Sequence, residues 1–573
     1  MKKAFSLFVC LVLIFLVDAQ SPKFEWAKHI GSNADSVTYA NSIKTDKYGN
    51  TYTFGIFSGT VDFDPGVGET FLSVSGFRYT RDIFLLKTAH NGEFLWVKQM
   101  GGNEDDYGNS ITLDADGNIY LTGVFNGKSD FDPSTGIFNL TSNGPDDIFI
   151  SKLDPSGNFI WAKSIGGITS DWSNSISVDN SSNIFLTGFF NSTVDFDPNG
   201  GIYELTAKGS DIFILKLNNN GNFLWAKQFS GMGDNESGAS IATDMAGNVY
   251  TTGRFNMTTD FDPDVNAIFN QTSNGEEDIF VSKLDSNGEF IWAKSFGGIG
   301  MDNGNTISVD DFGNIYIAGS FNETVDFNPS LGTFSIKAFG DNNSADIFIL
   351  KLNSSGNFKW VKRMGSIFQD EALAMTLDKN GNVFTTGVFQ DTADFDPGTN
   401  IYNLIASGTN FDIFISKLDS TGKFQWAKKM GGNLSDVGLS IALDNMDNIY
   451  SCGYFSGTAD FDDKNSYKMT SYGKTDMYFH KFSKQTLPIT ENSIQNYVTI
   501  FPNPSNGKLS IYINPLKGEV EIDLYNATGN LIYKTTNANA KSILDLSHLP
   551  NGLYIIKIST SDHQYSTQKI IKQ

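Results

Sequence analysis

In six of seven similar stretches along the chain, two acidic residues flank a phenylalanine on alternate positions, and that spacing is where chemistry is first sought. The pairs are Asp62 and Asp64, Asp130 and Asp132, Asp195 and Asp197, Asp260 and Asp262, Asp394 and Asp396, and Asp460 and Asp462. The remaining copy pairs Asp326 with Asn328. Alternate side chains of an extended segment point the same way, so each pair presents hard oxygen ligands to one side, which suits Ca²⁺. A second reading is structural: Asp side chains brace turns by accepting backbone N–H groups, and repetition in every unit favours a scaffold device. No EF-hand spacing is present. Asp114-Ala115-Asp116-Gly117-Asn118 carries its Gly where a turn, not a calcium loop, needs it.

A catalytic constellation in a repetitive chain should show as residues that break the repeat. Arg254 does so, standing where the other copies have Ile56, Val124, Phe189, Ser320, Val388 and Tyr454. Trp172 also falls outside the main pattern, in what reads as a loop between units, and both are candidate ligand contacts. Arg78, Arg81 and Glu371 are further departures. The His residues (29, 90, 480, 548 and 563) have no metal-ligand spacing, and no nucleophile elbow, P-loop or Cys pair occurs. Paired carboxylates over a common surface keep a polymer-degrading hydrolase or lyase as the alternative to a non-catalytic binding module.

Bulk properties narrow the partners. Acidic residues number 64 against 41 basic, a net charge of -23, which argues against nucleic acid and anionic membrane. Met1-Lys2-Lys3 followed by an apolar run to Val17 reads as a secretory signal over residues 1–19. No later stretch is apolar enough to span a membrane. Removal of the signal leaves Cys452, at a position held elsewhere by Thr122, Thr187 or Ala318, so no internal disulfide framework is available.

The elements that must position these residues announce themselves through tryptophan. Trp26, Trp96, Trp161, Trp225, Trp292, Trp360 and Trp426 are each followed by Ala or Val and then Lys, at steps of 64 to 70 residues. Within one unit, Ser110–Asp114, Ile119–Phe125, Asp147–Leu153 and the Trp segment read as strands separated by Gly-containing turns. Four strands per unit, repeated seven times, predicts an all-β, seven-bladed propeller over 24–484. The last unit lacks its own Trp strand, and Phe24–Lys28 precedes the first full unit. The N-terminal strand is therefore expected to complete the seventh blade and close the ring.

The Asp-Phe-Asp, Asp-Ile-Phe-x-x-Lys and Gly-x-Phe-x-Trp-Ala-Lys signatures resemble the propeller repeats known as SBBP repeats. After a polar linker at 485–497, residues 498–573 read as a small β-sandwich. Its Pro502-Asn503-Pro504 opening, Leu546-x-x-Leu549-Pro550-Asn551-Gly552-Leu553-Tyr554 stretch and basic end, Lys569 to Lys572, resemble the type A C-terminal sorting domain of type IX secretion substrates. That resemblance implies export by the type IX machinery to the medium or the outer cell surface.

An up-and-down blade sorts the loops. The Asp-Phe-Asp insertions, an inter-unit Asp (106, 171, 302, 370 and 436) and the Asp opening each Asp-Ile-Phe strand all fall at one rim. The opposite rim is expected to be plain, and the third-strand Lys residues (87, 152, 216, 283, 351, 417 and 481) to pair with the acids. The expected role is a secreted or surface binding and adhesion module for an extracellular protein or glycan.

Overall fold

The computed structural model describes residues 21–32, 36–77, 79–328, 332–340, 344–462, 464, 466–484, 498–513, 520–526, 530–537, 541–560 and 565–573. The signal at 1–19, the linker at 485–497 and Arg78 lie outside the described residues. Every regular element described is a strand, and the chain divides after Lys484 into two compact units.

In the larger unit the repeat is a four-strand antiparallel ladder. Tyr107–Leu113, Ile119–Phe125, Asp147–Leu153 and Phe159–Ile165 pair in that order. The two central strands are buried along their whole length, which is why they are written almost entirely in β-branched, aliphatic and aromatic residues. The same ladder recurs from Thr38–Thr45 onward. In the last ladder the fourth place is taken by Lys23–Ile30, which pairs antiparallel with Asp476–Ser483 and sets Trp26 opposite Lys481.

A ladder does not bury its own faces; its neighbours do. Buried clusters mix consecutive repeats, as where Tyr120, Ile148 and Ile165 join Ile176, Leu186 and Phe213. The Phe of each Asp-Phe-Asp pins its insertion to this core. Phe131 is fully buried, 5.5 Å from Phe125 and 4.8 Å from Phe149 between ring centroids.

Three devices join consecutive repeats. The first strand carries a bulge between Gly108 and Ser110, so Asn109 is left out of the ladder. Its freed side chain donates from Nδ2 to the Ser173 carbonyl of the next repeat at 2.9 Å, and Asn41 reaches Gly108 likewise. Each such bond contributes about 1 kcal/mol.

The second device is the repeated Trp. Trp161 lies over Gly221, in the turn between the third and fourth strands of the next repeat, and Trp26, Trp96, Trp225, Trp292 and Trp360 do the same at Gly92, Gly157, Gly288, Gly356 and Gly422. Gly221 has φ of +74°, and a Cβ there would meet the indole at 3.2 Å. Backbone conformation and ring packing thus both call for glycine.

The third device is the third-strand Lys. The expected acid partner is met at Lys87, 3.9 Å from Asp46 Oδ2, and a carbonyl of the next repeat is the hydrogen-bond acceptor elsewhere. Lys152 Nζ donates to the Asn219 carbonyl at 3.1 Å, Lys216 to Ser286 at 2.8 Å and Lys481 to His90 at 3.0 Å. Their ammonium groups lie over the rings of Tyr120, Phe185 and Tyr450 at 4.9, 5.0 and 5.1 Å. The reason is directional: these lysines sit at the end of the strand away from the Asp-Phe-Asp loops.

The smaller unit forms two sheets. Val498–Phe501, Lys508–Ile513 and Lys541–Asp545 make one; Leu531–Asn537, Val520–Asn526, Gly552–Thr560 and Tyr565–Lys572 make the other. Leu509, Ile511, Ile522, Leu524, Ile556 and Ile570 fill the core. Its sequence motifs hold one another. Asn503 accepts from Ile571 N at 2.9 Å and donates to the Lys569 carbonyl, while Lys572 Nζ donates to the Leu549 carbonyl.

The Trp-on-Gly contact predicts that Gly221→Ala destabilises the larger unit by about 1–3 kcal/mol, from positive φ and crowding together. Urea unfolding monitored by tryptophan fluorescence measures it. An unchanged midpoint would show that the turn relaxes freely and that the contact carries no stability.

Candidate functional site

The first residues of consecutive first strands form a row, and in register with them lies a second row from the adjoining strand. Tyr39 faces Ile56, Tyr107 faces Val124, Trp172 faces Phe189, Ser237 faces Arg254, Asn303 faces Ser320, Glu371 faces Val388 and Val437 faces Tyr454. These positions are free to vary because the ladder beneath holds the backbone.

Trp172 is therefore not a loop residue, as its place in the sequence suggests. It opens the strand Trp172–Val178, half-buried, because its backbone pairs with Phe189. Its ring stacks on Phe189 at 6.3 Å and 8° between planes and tilts against Tyr107 at 5.7 Å. Across the row, Tyr39 and Tyr454 pack at 4.4 Å. Arg81 donates to the Tyr107 hydroxyl at 2.8 Å and lies 3.4 Å from Asp105.

Arg254 shares this neighbourhood. It lines a cavity of about 280 Å³ together with Asn174, Phe189, Ser237, Asn303 and Asn305. Its Nε lies 3.3 Å from Glu277 Oε2, and an Nη donates to Asn303 Oδ1 at 3.4 Å. Burial pushes the Glu277 carboxyl up and Arg254 offsets part of that rise. The guanidinium remains largely exposed, with donors left for a ligand. Asn305 donates to Glu371 Oε1 at 2.9 Å, which fixes another edge of the same surface. Phe189 links the two symmetry-breaking residues, packing on Trp172 and lining the cavity of Arg254. Sequence spacing could not reveal that link, because 82 residues separate Trp172 from Arg254.

The Asp-Phe-Asp carboxylates do different work. Asp62 Oδ1 accepts from Asp64 N at 3.1 Å and from Thr70 N at 2.7 Å, and Asp64 Oδ1 accepts from Gly66 N at 2.8 Å. Asp130 and Asp132, Asp195 and Asp197, Asp260 and Asp262, and Asp394 and Asp396 repeat the pattern. Asp460 holds Asp462 N and Tyr467 N, and Asp462 accepts from Ser466. Among the described residues no three His, Cys, Asp or Glu side chains converge as a metal-binding group.

The opposite strand ends are not plain. Asp114 Oδ1 accepts from Asp116 N and Asn118 N there, and its Oδ2 accepts from Asn118 Nδ2 and Tyr120 Oη, with the same brace at Asp46, Asp179, Asp244, Asp310, Asp378 and Asp444. The spread of acids to both rims follows from the turns, each of which needs an acceptor.

The inter-unit acids are fully buried, unlike those at the turns. Asp106, Asp171, Asp302, Asp370 and Asp436 show no exposure, and Glu236 fills the corresponding place in the remaining ladder of this kind. The spacing rule written for Asp alone misses that Glu.

Residues 499–573 match the secretion system C-terminal sorting domain, and residues 95–132 and 291–323 match the SBBP β-propeller repeat. The protein thus carries SBBP propeller repeats and a type IX sorting domain, and is secreted or displayed at the cell surface. The sorting domain implies contact with the secretion machinery, and no helix among the described residues is long and apolar enough to cross a membrane.

An uncharacterized WD repeat-containing protein of Acanthamoeba polyphaga mimivirus is 26% identical over 439 residues, covering 63% of this chain and 31% of its own. The regulatory protein FlaEY of Caulobacter vibrioides is 28% identical over 142 residues, covering 25% and 14%. The chain thus spans less than a third of either relative. Among solved structures, Sqt1 from Chaetomium thermophilum aligns at 10% identity and a TM-score of 0.36, over 81% of this chain and 99% of its own. PorZ of Porphyromonas gingivalis, a surface component of the type IX secretion system, aligns at 10% identity and a TM-score of 0.15, over 96% and 100%.

Because backbone N–H groups occupy Oδ1 of the Asp-Phe-Asp carboxylates and no three acids converge among the described residues, the thermal midpoint is expected to coincide in calcium and in EGTA. A rise of several degrees with calcium would return the loops to a metal role.

Proposed function

We propose that the protein is a non-catalytic binding propeller, exported through its sorting domain, that holds an extracellular glycan at the Trp172–Phe189–Arg254 surface. The propeller in this reading is a closed ring of seven four-stranded blades, spanning 24–484, with Lys23–Ile30 as the last outer strand. The antiparallel register of Lys23–Ile30 on Asp476–Ser483 supports closure, as does the bond from Ile43 N to Ser440 Oγ, which joins the first ladder to the last. Residues 498–573 are the sorting domain, preceded by the 485–497 linker and, at the N-terminus, by the 1–19 signal.

One observation carries the site: the two residues that break the repeat meet through Phe189 beside a polar cavity. Aromatic faces suit the apolar faces of sugar rings, and amides with a guanidinium suit their hydroxyls. A peptide segment is the competing occupant. The Asp-Phe-Asp acids act as turn braces in this reading and need no calcium.

Glycan-array binding of the purified chain should give a defined set of ligands, and isothermal titration with a hit should lose at least tenfold in affinity for Arg254→Ala and for Trp172→Ala. Signal from peptides alone would replace the glycan, and release of reducing sugar from mixed polymers would replace the non-catalytic role. Separately, deletion of 499–573 should abolish surface or medium localisation while leaving the larger unit folded.

A further inference from the structure

At most junctions between consecutive ladders two carboxyls face each other in the interior. Asp82 and Asp106 both crowd Gly101: a Cβ there would lie 2.9 Å from Asp82 Oδ1 and 3.0 Å from Asp106 Oδ2. Gly365 is flanked in the same way by Asp346 Oδ1 and Asp370 Oδ2, at 2.8 Å and 3.0 Å. Asp211 with Glu236, Asp278 with Asp302 and Asp412 with Asp436 bring such pairs to five, and all ten side chains belong to fully or almost fully buried residues.

The hydrogen bonds around the first pair are nearly complete. Asp106 Oδ1 accepts from Ser129 Oγ at 2.8 Å and Asn126 N at 3.4 Å, and its Oδ2 accepts from Gly102 N at 2.7 Å. Asp82 Oδ2 accepts from Ser75 N and Oγ and from Gln99 Nε2. Asp82 Oδ1 alone is buried without a donor, and so are Oδ1 of Asp278, Asp346 and Asp412 and Oε2 of Glu236. An ionised oxygen with no donor, facing a second carboxylate, costs several kcal/mol. A proton on that oxygen removes both the orphan and the repulsion.

We infer that each of these five carboxyl pairs holds one proton, seated on the oxygen that has no hydrogen-bond donor. The other two junctions show the alternative solutions. Gly144 N donates to Asp147 Oδ1 at 3.2 Å beside Asp171. At Asp476, Gly473 N donates to Oδ1, His29 Nδ1 lies 3.0 Å from Oδ2, and buried Thr38 replaces the second acid.

Other charges near the pairs are few. Arg81 and Asp105 bind each other at the rim, Arg254 and Glu277 do likewise, and Lys128 and Asp130 lie on the hairpin beside Gly101. Arg363 lies 3.7 Å from Asp346 Oδ2 and Lys429 lies 3.3 Å from Asp412 Oδ2. Neither is recorded against an Oδ1. Burial first, then the neighbouring acid, raises Glu236 and Asp346, which carry an orphan oxygen, to about 8. Burial raises Asp278 to about 6 and lifts Asp82 and Asp412. Their facing acids Asp106, Asp302 and Asp436 rise to about 8, 7 and 7, so the proton is held by the pair.

The folded chain therefore keeps protons that the unfolded chain releases near pH 4. Raised carboxyl pKa values give full stability below that pH and lose it as pH rises through about 7 to 8.

The thermal midpoint of the full chain should fall continuously from pH 4.5 to 8.5. Asp82→Asn places an amide N–H on the orphan position and keeps an acceptor for Ser75 and Gln99. Together with Asp278→Asn it should flatten that fall by about two-fifths, while Asp116→Asn, an exposed control with the same charge change, leaves it unaltered. At pH 7 the infrared carbonyl band of protonated carboxylic acid should be present and should shrink in the double Asn variant. Absence of that band overturns the inference, as does a midpoint at pH 8 that rises with added calcium, which would put a cation in the pairs. A pH slope the same in the double variant as in the wild type would also overturn it.

Discussion

The ladder-to-ladder contact governs this molecule, and its sharpest expression is an indole lying flat over a glycine of the next repeat. A four-stranded sheet with both faces apolar has no stable form alone, so every unit depends on its neighbours. The Trp covers the face, the positive-φ Gly lets it approach, and the Lys alongside donates to a carbonyl of the same turn. Because the contact is directional, from each repeat to the next, the register of one sheet sets that of its neighbour. The N-terminal strand obeys the same rule: Trp26 rests on Gly92 although its strand pairs with residues some 450 positions away.

That rigid frame explains how acids are distributed. Most turn acids keep some exposure, and one oxygen of each carboxylate accepts backbone N–H groups, so they brace the turns. Junction acids are buried and face one another, so proton occupancy is part of how the interface is satisfied. Two populations of Asp with the same side chain thus do opposite electrostatic work, and burial alone separates them. A net charge of -23 overstates the ionisation of the folded chain accordingly.

The frame also frees one row of positions. At the start of each first strand the backbone is held by the ladder and by a bulge, whose residue is Asn41, Asn109, Asn174 or Asn305 in four of them. The side chain there packs against its neighbours in the row. Tyr, Trp, Ser, Asn, Glu and Val occupy this row, and the cavity beside Arg254 lies where a small Ser237 leaves room. Side chains in this row can therefore vary without disturbing the ladder beneath.

Sequence alone determined the repeat length, the four-strand grammar, the sorting domain and the turn chemistry, because each is written within a few residues. Asp-Gly-Asn turns, period-2 strands and the Trp segment are local signals that need no partner to be read. Only the tertiary structure decided what those residues face. Trp172 read as a loop residue until pairing with Phe189 drew it into a strand, and Glu236 was invisible as the counterpart of Asp106 until both lay at equivalent junctions. The lysines looked like partners for the Asp-Phe-Asp acids, yet strand direction carries them to the other rim, where turn carbonyls receive them and Lys87 meets Asp46. The physical reason is common to all three: the contacts join residues 17 positions apart, as in Trp172 and Phe189, to 70, as in Lys216 and Ser286. They depend on how strands pair and neighbouring sheets stack, which no short-range pattern encodes.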